Sequence, residues 1–424
     1  MNRCFELAVR CLLWVFLLAE GERVSVGADW PQWRGAERTG HVVGEDAGLM
    51  RLPAEAKVLW RKELGDGFAS PVVAGNRVVI SDDREGREVV HALDAQTGEA
   101  VWSVDLDSSH RDGFGIGPRC TPLIDGDFVY VQSAKGELRC LAFKDGKTVW
   151  RTSYVDDFGA LYIGEKGKAV GASRHGASGA PLVHGSLLIA QVGSASGAGV
   201  VAFDKRSGAV VWRSQDDQSA YAGLFLARLA GRLQVLSFTA EGLIGLAPED
   251  GRLLWRVPFK TALGRHVTTP VVTGDLVLVA SHQIGLVATR VAAVGDGFQA
   301  TEAWVNKGLG FNFSSPVVQG AHLFGLAPGK RVVCVELATG AVAWEQEGLV
   351  QTSADRAEAA FLVFGERILM LNDTGELVLF GAESTKYREM GRLQVCGKNW
   401  CLPAYSDGRL FVRDAKEIVC VGLR

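Results

Sequence analysis

Seven residues in the sequence carry groups able to hold a ligand: Arg119, Arg174, His175, His266, Asn312, Asn399 and Trp400. They fall in or beside short segments that read GIGPRCTP, SRHGASGAP, RHVTTP, FNFSSP and GKNWCLP, with DGFASP as a sixth of the same kind and with Arg265, Phe114 and Phe313 close by. Guanidinium, imidazole and amide groups around aromatic faces suit an anionic or sugar-like ligand, held by charge-assisted hydrogen bonds and stacking. The same groups also satisfy loop carbonyls beside Gly and Pro, so the pattern leaves binding and loop architecture both open.

Carboxylates are scarce in these segments. Asp66 and Asp112 are the nearest, and each precedes a Gly as turn residues do. A hard cation wants several converging oxygen ligands, which the segments do not offer, so no metal is expected. Net charge is -3 with both signs spread along the chain, and no run of Lys or Arg could track a phosphate backbone. Nucleic acid is therefore not expected as a partner.

Each segment leads into a hairpin of the form Pro-Val-Val-x-Gly-(Asp/Asn)-x-Val-x-Val. Copies begin at Pro71, Pro122, Pro181, Pro270 and Pro316, with a weaker one at Pro403. Pro suits the first residue of a strand lining a channel, because a strand start can spare its amide donor. Two more inner strands, without Pro, begin near Ala222 and Ala360.

Behind five of these eight inner strands comes a second pattern. Ala92 to Trp102 reads ALDAQTGEAVW, and four other segments keep Gly and Trp four residues apart, giving the pairs Gly98/Trp102, Gly146/Trp150, Gly208/Trp212, Gly251/Trp255 and Gly340/Trp344. A small residue and alternating apolars form a third strand, Asp, Thr or Ser with Gly makes the turn, and the Trp sits on an outer strand where it covers the seam between sheets. Trp60 and Trp304 continue the outer series, and an eighth outer strand near Leu393 lacks a Trp.

The expected fold is all-β: an eight-bladed β-propeller of four-stranded antiparallel blades, or seven blades if the two weakest fuse. Trp60 precedes any inner hairpin, while GRLFVRD and EIVCVGL near the C-terminus lack an outer strand. Val58 to Leu64 is thus predicted to close the ring on the last blade, which removes the open edges of a linear array. The division expected is 1–28 signal peptide, 29–56 N-terminal WPQWRG segment and 57–424 propeller.

The motif Ala-x-Asp-x-x-Thr-Gly-x-x-x-Trp resembles the tryptophan-docking repeat of the pyrroloquinoline quinone (PQQ) propeller superfamily, which includes quinoprotein alcohol dehydrogenases and BamB-like propellers. The stretches DWPQWRGAERTG and LPAYSDGRLFVRDAKEIVCVGL resemble the ends of PQQ-binding-like proteins abundant in planctomycetes. For an enzyme of that superfamily the resemblance implies a quinone stacked between a Trp and a disulfide of adjacent cysteines, with Ca²⁺ and an Asp base. No two cysteines adjoin here, so no cofactor is expected. The resemblance implies instead a non-catalytic exported propeller, either a scaffold for an envelope protein or a module for a small polar or anionic ligand. A PQQ-dependent oxidoreductase is the alternative.

Arg3 and Arg10 precede an apolar stretch from Cys11 to Ala19, and Val26-Gly27-Ala28 offers a cleavage site, so export to the periplasm or envelope is expected with no membrane span after cleavage. Cys140, Cys334 and Cys420 occupy one repeat position, held elsewhere by Ala92, Ala202 and Gly245, and read as small packing residues. Cys120 and Cys140, read as first and third strands of one blade, would lie roughly 9 to 10 Å apart, too far to bond. Cys396 and Cys401 are the pair with room to join. Two features remain. The insertion between Trp150 and Pro181, with Tyr154, Phe158, Tyr162 and Arg174, is a candidate contact loop or a cover for the channel. Trp30 and Trp33 are candidates to plug the channel or the closing blade, with exposed partner binding as the alternative. A closed ring is expected to be monomeric.

Overall fold

A computed structural model describes residues 29–44, 48–161, 175–354 and 356–423. The expected signal peptide, Tyr162 and Arg174 lie outside these residues. The described chain forms eight sheets of four antiparallel strands, so the seven-bladed alternative falls. Blade one shows the plan: Val72–Ala74, Arg77–Arg84, Arg87–Asp94 and Ala100–Ser108 pair in chain order, from the channel outward. Blade eight takes its inner three strands from Ala404–Ser406, Arg409–Arg413 and Glu417–Gly422, and its outer strand, Lys57–Glu63, from the other end of the chain. Trp60 pairs with Cys420 across that joint.

The small third-strand residues have a steric reason. Ala92, Cys140, Ala202, Gly245, Ala288, Cys334 and Cys420 each stand opposite the outer-strand Trp of their own blade. A register shift accompanies each of these pairs. Such a bulge bends the outer strand and re-aims the indole toward the next blade.

There the Trp meets the glycine of the following repeat, a partner that the in-repeat spacing did not reveal. Trp60, Trp102, Trp150, Trp212 and Trp304 lie on Gly98, Gly146, Gly208, Gly251 and Gly340 of the next blade. Their indole N–H groups donate across the same seam, to the carbonyls of Ala95, Phe143, Lys205, Pro248 and Leu337. Trp344 donates to Glu383 although blade seven lacks a docking Gly. Trp255 is the exception. Its neighbour, blade five, carries long strands Gly285–Val294 and Gly297–Asn306 with no docking turn, and the Trp255 N–H turns back to Gln234 at 2.6 Å in its own blade.

The N-terminal segment lies in the channel and binds inner strands of several blades. Trp30 bridges Val73, and the Trp33 indole donates to Thr269 at 2.9 Å. Arg34 donates to Pro316 O at 2.5 Å, and Arg38 to the carbonyls of Pro181 and Ala180. Both guanidinium groups are buried. Burial lowers their pKa, to about 9 for Arg34, where Arg38 adds repulsion, and to about 10 for Arg38.

Two expectations need correction. Cys120 lies before its inner strand Leu123–Asp125, not in it. The insertion after Trp150 starts as a short helix, Tyr154–Phe158, whose two rings are buried: Tyr154 bonds Gln132 and Phe158 packs edge-on to Phe203. Those two side chains hold the blade rather than face a partner. All six described cysteines are free, Cys396 and Cys401 included. Among the described residues no helix is long and apolar enough to cross a membrane.

Candidate functional site

Where the eight blades converge above Trp33, a cavity of about 160 Å³ remains. Its wall has one side chain from each blade. Phe68, Arg119, Ser178 and Tyr221 come from blades one to four, and Val267, Phe313, Glu358 and Trp400 from blades five to eight. Six of these stand three residues before the Pro that opens an inner strand. Tyr221 and Glu358 stand three before Leu224 and Phe361, which replace the Pro: Leu224 directly precedes its strand, and Phe361 stands four before the turn Gly365, as Pro71 does before Gly75. An extended approach with alternating faces puts the residue before the Pro on the same wall, and Ser70, Thr121, Ala180, Gly223 and Leu402 complete it.

A loop of blade two covers the mouth. Asp112 organises it: the carboxylate accepts from the Phe114 amide at 2.7 Å, from Arg119 Nη2 at 3.0 Å and from His175 Nδ1 at 2.8 Å. His110 Nε2 stands 3.7 Å away. Burial alone would raise the Asp112 pKa, but His110, His175 and Arg119 together hold it well below the usual carboxylate range. The turn presents Phe114, whose ring centroid lies 5.5 Å from Trp400, 5.8 Å from Phe313 and 5.0 Å from His175. Arg356 fastens this cover from blade seven's entry loop, donating to Gly113 O at 2.9 Å while its own carbonyl accepts from the Trp400 indole.

Of the residues singled out by sequence, Arg119, His175 and Trp400 line the cavity together. Asn312 stands behind it and accepts from Arg265 at 3.3 Å. Asn399 is buried and bonds the backbone of Cys401 in both directions. His266 is buried away from the cavity, stacked on Phe238 at 4.2 Å with Nδ1 2.6 Å from Thr239 O, and burial pulls its pKa down to about 4. Arg174 is outside the described residues. The anionic-ligand expectation meets an obstacle in Asp112, which already takes up Arg119 and His175.

Glu358 was missed by sequence reasoning, although it stands seven residues before the turn Gly365, as Phe68 does before Gly75. The side chain is 94% buried, since only 6% of its surface is exposed. Burial raises its pKa well above the ordinary value, and the negative charge of Asp373 adds to the rise.

The whole arrangement, ring, seam tryptophans and plugged channel, can be set beside known proteins. The family model described as outer membrane protein assembly factor BamB matches residues 32–161 and 86–346. The chain belongs to the BamB family. A BamB of Alkalilimnicola ehrlichii is 30% identical over 247 residues, which cover 53% of this chain and 51% of that one. One from Salmonella typhimurium is 33% identical over 111 residues, 23% of this chain and 26% of that one. The chain therefore spans about half, or less, of the length of the curated BamB proteins it matches. Among solved structures, BamB from Moraxella catarrhalis superposes with a TM-score of 0.56 at 15% identity, covering 88% of this chain and 98% of that one. A quinohemoprotein alcohol dehydrogenase from Pseudomonas putida gives 0.63 at 11% identity, covering 93% and 80%. At such identities the structural likeness shows the fold alone, shared by a BamB propeller and a dehydrogenase.

Proposed function

We propose that this BamB-family chain is a non-catalytic propeller of the cell envelope that works as a scaffold for an envelope protein. The observation that carries the reading is the family match across residues 32–346. The relatives bear the name of an outer membrane protein assembly factor, and an assembly partner is accordingly the first to seek. The expected leader supports export, and the closed ring supports a monomer. Exposed valines on the outer strands, among them Val101, Val149, Val211 and Val342, offer apolar ground for a partner.

The quinoprotein alternative fits the cavity poorly. Its cofactor site asks for adjacent cysteines and several acidic ligands around the quinone and its cation. Here Glu358 is the cavity's one carboxylate of the wall, Asp112 is held by Arg119 and His175, and no two cysteines adjoin in the sequence. The proposal therefore includes no PQQ.

The test is photocrosslinking in native cells from positions 149 and 211, with fractionation and comparison of outer-membrane protein levels in a deletion strain. A crosslink to an envelope assembly protein and depleted outer-membrane proteins are expected. Unchanged levels without a crosslink, or dye reduction by the purified chain with PQQ, Ca²⁺ and alcohols, would overturn the reading.

A further inference from the structure

Glu358 is the one acidic side chain among the eight that ring the cavity, and no hydrogen-bond donor among the described residues meets its carboxyl. A largely buried acid without a protein partner is costly unless a guest in the cavity supplies the missing hydrogen bond or charge. The charge that bears on it is the negative one of Asp373, whose carboxylate accepts from the amides of Gln351 and Thr352. Arg119, which lines the same cavity, is taken up by Asp112 instead. Among the described residues no cation is paired with the Glu358 carboxyl, which faces the cavity.

Its surroundings favour one kind of cation. Phe313 and Trp400 come from the blades on either side of Glu358, with ring centroids 5.3 Å apart, and Phe114 closes over both. Aromatic faces attract cations that shed water readily, and Trp does so most strongly. The protein uses this chemistry on the other rings: Arg119 lies 4.3 Å from the Phe68 centroid, Arg265 5.7 Å from Phe313 and Arg356 5.4 Å from Phe114. Trp400, the strongest acceptor of the set and the next blade's neighbour to Glu358, carries no guanidinium among the described residues.

We infer that the cavity binds a small organic ammonium ion, its charged head between Glu358 and the face of Trp400 and its apolar body against Phe114 and Phe313. Size sets the scale. An apolar protein cavity of about 150 Å³ takes a benzene-sized guest, so the head group of choline or a small alkylamine fits the 160 Å³ here and a large polycyclic ligand does not. An inorganic cation is a poorer match, since it would need several oxygen ligands where the wall is mostly aromatic.

This inference does not rest on the scaffold reading: partner crosslinking can fail while ligand binding persists, and the reverse. Calorimetric titration of the purified chain with choline, with its neutral carbon isostere and with benzoate tests it. Choline is expected to bind saturably, the isostere at least roughly tenfold more weakly, which is the loss of about 1.4 kcal/mol of charge interaction. Glu358→Gln is expected to cost at least roughly tenfold in choline affinity while thermal stability holds or rises. Equal binding of choline and the isostere on the unaltered protein, preferential binding of benzoate, or no saturable binding of any ammonium ion would overturn the proposal. Because the isostere comparison needs no variant, a misfolded Glu358→Gln would not leave the question unanswered.

Discussion

The indole of Trp60 rests on Gly98 across the joint between the last blade and the first, so closely that a Cβ added to the glycine would stand 2.6 Å from the ring. The same Trp60 donates its N–H to Ala95 O at 3.1 Å. Gly98 is held at φ +74, where side chains are also strained. Seam and turn therefore demand glycine for two independent reasons.

Gly98→Ala is expected to cost about 2–4 kcal/mol in chemical unfolding, from overpacking plus backbone strain. Gly75→Ala supplies the control, because Gly75 also has a positive φ, +52, but nothing within 4 Å of its added Cβ. Its cost should stay near about 1 kcal/mol. Equal costs at the two sites would show that the turn alone, not the Trp60 seat, sets the requirement. Trp60→Ala should lose about 3–5 kcal/mol, since it empties the closing seam.

Glu88 gives stability an unusual pH dependence. Burial raises its pKa to about 7; the Ala134 amide, 3.1 Å from the carboxylate, opposes the rise and Asp107 adds to it. Below the ordinary value of 4.5 the carboxyl is protonated in both folded and unfolded chains, and stability owes it nothing. As pH climbs toward 7 the unfolded chain ionises first, so stability falls, by on the order of 3 kcal/mol once the folded group has ionised too. Glu88→Gln should remove that decline: matched to the parent in acid, more stable than the parent in mild alkali. Parallel stability curves from acid to alkali would sink the assignment.

The ring was legible because its signals are local and repeated. Gly98 with Trp102, the Pro-Val-Val hairpins and the orphan strand around Trp60 each fix a small piece of backbone, and eight pieces allow one closed arrangement. The cavity was legible in part. Arg119, His175 and Trp400 share chemistry that sequence displays, whereas His266 has the same chemistry but turns into the core against Phe238. Whether a residue faces the channel depends on alternation ahead of the inner strand, and Glu358 follows that alternation without the Pro that marks it elsewhere. Asp112 looked like a turn residue beside Gly113, and it is one, since it accepts from the Phe114 amide; its bond to His175, 63 residues away, is tertiary and has no local signal.

That double role makes Asp112 separable by mutation. Its pKa is depressed in the folded chain by His110, His175 and Arg119, so the stability it supplies is present above its ordinary value of 3.8 and is lost as pH falls through the folded value. Asp112→Asn keeps an oxygen to accept from the Phe114 amide but removes the charge that gathers Arg119 and His175. It should cost about 2–3 kcal/mol at neutral pH, with some discount for the partial exposure of the loop. Asp112→Ala removes both. If the turn and the charge act separately, amide hydrogen exchange at Phe114 and Gly115 should quicken in the Ala variant and stay slow in the Asn variant, because both amides donate to the same oxygen, at 2.7 and 3.3 Å. Fast exchange in both variants would mean that the cover over the cavity is held by the charge cluster alone, and slow exchange in both that Arg356, through Gly113 O, is its real fastening.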